Sequence, residues 1–136
     1  MAIAMQYGAG GDISRLAGGG GGGLTLDELW SNNSPTSTFA AQTVQLSAPV
    51  TNYKLLMISY YFATSQTELQ TAIFPVSAVY GGGETGRILT NGATTNRTGG
   101  RTFTVPAVDS VAFGAASWNT GSANGYCVPV AIYGIR

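Results

Sequence analysis

From residue 39 to residue 135 the apolar positions fall in short runs, each closed by Gly, Pro, Asn or Asp. Such punctuation at short spacing predicts strands over residues 39–46, 53–63, 72–80, 87–89, 101–105, 110–113 and 126–135. Turn residues separate them at Pro49 and Asn52, at 81–83, at Asn91 and Gly92, at 98–100, and over 119–125. The one helix signal is Thr25, Leu26, Asp27 and Glu28, which together have the spacing of a capping box with acidic residues in the first turn. Asn32, Asn33, Ser34 and Pro35 follow at once, so this segment has room for one or two turns only. The expected fold is therefore all-β: an antiparallel, jelly-roll-like sandwich of about seven to eight short strands with a short N-terminal helical turn.

The strand over 53–63 is apolar on both faces. One alternating set is Tyr53, Leu55, Met57, Ser59 and Tyr61; the other is Lys54, Leu56, Ile58, Tyr60 and Phe62. A strand in an antiparallel sandwich normally keeps one wet face. Both sets therefore need cover, and in a domain this small a second subunit supplies it most readily. Leu56, Ile58, Tyr60 and Phe62 are the expected subunit interface. Pro129, inside the last strand, cannot donate to a ladder and so calls for an edge position or a bulge.

Composition narrows the function classes. Six basic and six acidic side chains balance, whereas a nucleic-acid binder would carry a basic face. Charged residues make up only 9% of the chain, so the surface is either neutral-polar or hidden in an oligomer. No segment reaches the ~20 apolar residues of a membrane-spanning helix. Residues 1–5 have no basic flank and no sustained apolar run after them, so neither membrane insertion nor secretion is expected. Gly18 to Gly23 form an unbroken glycine run, which specifies no single backbone conformation. Residues 1–23 thus read as a leader peptide and tether, and residues 24–136 as the domain.

Enzymatic readings fare poorly. The chain has no histidine, which removes the usual general base and the commonest metal ligand. Cys127 is the only cysteine, so no zinc cluster can form, and its apolar neighbours suggest a buried, inert thiol. Asp12, Asp27, Glu28, Glu68, Glu84 and Asp109 show no catalytic spacing. Neither cofactor nor metal is expected. The glycine run satisfies a dinucleotide fingerprint only because it satisfies any glycine spacing, and no βαβ unit surrounds it.

Arg87, Arg97 and Arg101 flank the loop expected over 91–100 and are half of the basic residues, which makes them candidate contacts for acidic groups or an anionic sugar. Trp30, Tyr60, Tyr61, Trp118 and Tyr126 are candidates for a sugar-stacking platform. Trp118 is the foremost of these, because it lies in the polar loop expected over 117–125.

Three stretches carry a family resemblance: Leu29 through Thr43 (LWSNNSPTSTFAAQT), Arg101 through Val105 (RTFTV), and Cys127 through Arg136 (CVPVAIYGIR). With these the domain resembles small structural proteins of bacteriophages and prophages, found as tail-fibre, tail-tip or capsid-fibre head domains. The resemblance implies a β-sandwich that forms a homotrimer, resides in the virion, and contacts other virion proteins and a host-surface glycan or protein. It supplies no catalytic residue. The glycine tether replaces a long shaft, which brings in a second expectation: a capsid or tail decoration protein docked through its N-terminal leader.

Overall fold

A computed structural model describes residues 23–92, 97–118, 121–122 and 124–136. The leader peptide expected over 1–17 and most of the glycine tether lie outside the described residues. Ten strands run through these residues: β1 (Leu26–Ser31), β2 (Gln42–Gln45), β3 (Leu55–Ala63), β4 (Gln66–Pro75), β5 (Gly86–Gly92), β6 (Arg97–Ala107), β7 (Ser110–Phe113), β8 (Ser117–Trp118), β9 (Gly121–Ser122) and β10 (Tyr126–Ile135). They form two antiparallel sheets. Sheet A has the order β1-β10-β3-β4, and sheet B runs β2-β7-β6-β8-β9 with β5 also paired to β6.

The all-β sandwich is as expected. Its pairing is jelly-roll-like in its outer layers: β1 pairs with β10 in one sheet, and β2 pairs with β7 in the other. The nesting stops there, because β3 and β4 form a hairpin within sheet A and β5 and β6 form one within sheet B. Among the described residues no helix is long and apolar enough to cross a membrane.

The N-terminal helical turn is corrected. Residues Leu26–Ser31 are strand β1. Thr25 exchanges both backbone hydrogen bonds with Arg136, at 3.1 and 3.2 Å, so its backbone belongs to a ladder and not to a helix cap. A helix of one turn would pay its nucleation cost without propagation, whereas the edge of β10 offers a full row of partners. The short helical turns sit elsewhere, at Val50–Asn52 and Ser77–Gly81. The latter takes up the end of the strand expected over 72–80, and β4 begins earlier than expected because Gln66, Thr67 and Glu68 read as polar loop.

Between the sheets lies one core. Leu56, Ile58 and Ile132 come from sheet A; Ile88, Phe103, Val111 and Phe113 come from sheet B. Aromatic rings stitch the layers, with Phe74 edge-on to Phe103 at 4.8 Å and Phe39 edge-on to Phe113 at 5.5 Å. Pro129 sits next to a bulge between Pro129 and Ala131, as expected for a residue without an N–H. The edge position is corrected, since β10 is flanked by both β1 and β3.

Gly134 shows how tightly the last strand is packed. It pairs with Leu56 and Asp27, and the Tyr53 ring lies directly on it, so that a Cβ there would stand 2.5 Å from ring carbons. The same Tyr53 hydroxyl donates to Asp27 Oδ2 at 2.9 Å. Gly134→Ala is therefore expected to displace that ring and destabilise the fold by about 1–3 kcal/mol, read as a lower midpoint in denaturant unfolding.

Candidate assembly surface

Strand register decides which apolar set of β3 faces inward. Leu56, Ile58 and Tyr60 are buried in the core of their own chain, where Leu56 and Ile58 retain no exposure. The expected subunit interface on Leu56, Ile58, Tyr60 and Phe62 is thus corrected: three of the four line the sandwich interior. Tyr60 also donates its hydroxyl to Leu89 O at 2.7 Å across the layers. Phe62 is half-buried, its ring 5.9 Å from that of Tyr126.

The opposite set therefore faces outward. Met57 pairs with Ile73 on one side and Tyr133 on the other, and Tyr133 pairs with Glu28, giving a row across the whole of sheet A. A second row runs through Leu26, Ile135, Leu55 and Pro75, and Tyr61 pairs with Leu69 further along. Leu26 is 53% exposed, Leu69 58% and Ile73 36%, so three of the large apolar side chains left in solvent share this face. In these rows Glu28, on the edge strand, is the one charged residue. Four strands at ~4.8 Å and nine residues of β3 at ~3.3 Å give a face of roughly 600 Å² in plan. A more polar row, Ser31, Ala131, Ser59 and Thr71, crosses the face between the apolar ones, so the apolar area is only a part of this.

Of the candidate contact arginines, Arg87 and Arg101 do not share a surface. Ile88 pairs with Arg101 and both side chains enter the interior, so Arg87, one residue along β5, faces the other way. Arg87 is exposed, its guanidinium lying across Gly100. Arg97 opens β6 and Trp118 ends β8, but their side chains lie outside the described residues. The glycines at 99 and 100, expected in a turn, belong to β6, where Gly99 pairs with both Thr90 and Trp118.

Arg101 as an exposed ligand contact is corrected by its burial, since it has no exposed surface. Its Nε donates to Cys127 O at 2.9 Å, Nη1 to Gly114 O at 2.8 Å, and Nη2 to Tyr126 O at 3.2 Å and Asn124 O at 3.4 Å. The Phe39 ring centroid lies 5.1 Å from the guanidinium carbon. Carbonyl dipoles and a π face thus replace a counter-ion. Burial pushes its pKa down to about 10, which leaves the group charged at neutral pH. Its role is architectural: the planar fork of donors ties β6 to the segment entering β10.

Cys127 is fully buried beside this clamp, with a left-handed backbone at φ 46°. Burial pushes its thiol up to about 11, against a smaller opposing pull from Arg101. The native protein is expected to resist disulfide-exchange reagents at mildly alkaline pH and to release one reactive thiol per chain on unfolding; rapid labelling of the folded protein would contradict this burial.

Among the described residues no group of three or more His, Cys, Asp or Glu side chains is placed to hold a metal ion. The signal for the outward face was present in the alternation of Leu69, Thr71 and Ile73, but it needed the partner strand to show which set of β3 it continues. Compared with known proteins, the chain matches no family model and no curated sequence.

Proposed function

We propose that this chain is a non-enzymatic structural subunit of a bacteriophage particle. In this reading it is a homotrimeric head module of a tail or capsid fibre, with loops that meet host-surface glycan or protein. The observation that carries the reading is the apolar outer face of sheet A, nearly free of charge across four strands. A face of this kind is costly to leave in water at about 25 cal/mol per Å², and closed symmetric association covers it on every copy. The resemblance through residues 29–43, 101–105 and 127–136 supplies the setting. The complete lack of histidine favours assembly over catalysis.

A second reading is a decoration protein docked by its leader. It is favoured by one observation: β1 starts at Leu26, three residues after Gly23, and Leu26 already stands on the apolar face. The leader and the face are therefore neighbours along the chain. Quantitative mass spectrometry of purified particles tests both. The fibre-head reading expects the chain in a copy number divisible by three, still incorporated after residues 1–17 are deleted. Loss of incorporation on that deletion supports the decoration reading, and absence of the chain from particles overturns both.

A further inference from the structure

The segment between β1 and β2 builds a cleft at the edge of sheet A, where Ser31 of its wall also stands in the outer row of that sheet. Asn32 holds it in place. Its Nδ2 donates to Pro129 O at 2.8 Å, its Oδ1 accepts the Ser34 N–H at 2.8 Å, and its backbone N–H donates to Val130 O at 2.8 Å. Phe39 N donates to Asn124 O at 3.0 Å, and the Phe39 ring is itself pinned by Arg101. The loop is thus tied at both ends to the segment around β10, so the cleft is present before any ligand arrives and little ordering cost attends binding.

The cleft is open to solvent and offers about 280 Å³, bounded by Trp30, Ser31, Asn33, Thr38 and Gln42 along with the residues that hold the loop. No charged side chain lines it. Trp30 is half-buried and immobilised by Phe39 at 6.0 Å and Phe113 at 6.1 Å. The half-buried indole thus stands fixed at the wall of the cleft. Asn33 and Thr38 are exposed residues of its wall. Gln42 uses Nε2 on Ala40 O at 3.2 Å, which leaves its carbonyl oxygen free.

We infer that this cleft binds a single uncharged sugar unit. Anionic ligands such as phosphates or acidic sugars would find no cation on its walls. An apolar ligand would strand the amide and hydroxyl groups without partners. A neutral pyranose satisfies both requirements, with C–H edges for the indole and hydroxyls that both donate and accept for Asn33, Thr38 and Gln42. The volume falls just below the ~300 Å³ at which drug-sized sites begin, which is room for one ring. The inference rests on the host-contact part of the proposed function only for where the sugar comes from. A trimer that binds no sugar removes this inference alone, and a monomer that binds one removes the association alone.

The test is an NMR titration of the full chain with methyl glycosides of glucose, galactose, mannose, N-acetylglucosamine and N-acetylgalactosamine, with glucuronate as the charged control. The two indole N–H resonances are assigned with Trp30→Phe. At least one neutral glycoside is expected to shift the Trp30 indole saturably at millimolar concentration. Asn33→Ala and Thr38→Ala, both at exposed positions, should each weaken binding roughly fivefold, the worth of one hydrogen bond. The inference is overturned if no neutral glycoside moves that resonance at high millimolar concentration, if only glucuronate does, or if neither alanine variant changes the affinity.

Discussion

Replacing Leu69 and Ile73 together by glutamate is expected to leave a folded protein that no longer associates. Both side chains stand on the outward face of sheet A, on its edge strand β4, and are 58% and 36% exposed in the single chain. A carboxylate at either position remains in water in the monomer, so the fold loses little. In the assembled state each copy would bring two unpaired charges against an apolar neighbour. Burying such a charge without a partner costs on the order of 3 kcal/mol or more, so association should weaken at least a hundredfold per substituted contact. Sedimentation velocity at matched concentrations, with circular dichroism as the check on folding, reads the outcome. An unchanged sedimentation coefficient in the double variant would place the association surface elsewhere. Arg87→Ala serves as the control, because Arg87 lies on sheet B and should leave the coefficient unmoved.

The second large effect concerns Arg101. Arg101→Ala removes a fully buried fork that serves Cys127, Gly114, Tyr126 and Asn124. The carbonyl oxygens of Cys127, Gly114 and Tyr126 then lose the guanidinium, Asn124 O keeps only the Phe39 N–H, and Phe39 loses the cation on its face. A buried acceptor left without a partner costs about 1–3 kcal/mol, and the vacated volume adds a cavity penalty. A total of about 4 kcal/mol or more is expected, a large share of the 5–15 kcal/mol that ordinarily holds a domain together. Arg101→Lys keeps the charge but not the fork and should recover only part of the loss. Urea unfolding of the three proteins gives the comparison. A loss under about 1 kcal/mol would mean that water replaces the guanidinium at these carbonyls.

The sandwich was legible because its signals are local. Turn residues cut the chain at short intervals, and the alternations over 110–113 and 126–135 coincide with β7 and β10. What was not legible depends on partners distant in the chain. Thr25 to Glu28 carry a sound local capping pattern, yet Thr25 exchanges hydrogen bonds with Arg136 at the far end, and that ladder outweighs a one-turn helix. The apolar content of β3 called for cover on both sides. Only the register with β4 and β10 shows that Leu56, Ile58 and Tyr60 are covered by sheet B and that Met57 and its neighbours are not. Arg101 looked like a loop arginine because Gly99 and Gly100 precede it. Those glycines instead belong to a central strand, and the parity of Ile88 with Arg101 turns the guanidinium inward. Trp30 could be named as an aromatic of interest, but the uncharged groups around it come together only through the loop that Asn32 fixes.

The proposed fibre-head role requires that copies of this chain cover the outer face of sheet A. The most direct measurement is the molar mass of the full-length chain by light scattering during size-exclusion chromatography, over a dilution series. The account predicts three times the chain mass, held on dilution. A single-chain mass at every concentration would contradict it, and the face through Met57, Ile73 and Tyr133 would then be a surface that this protein leaves in water.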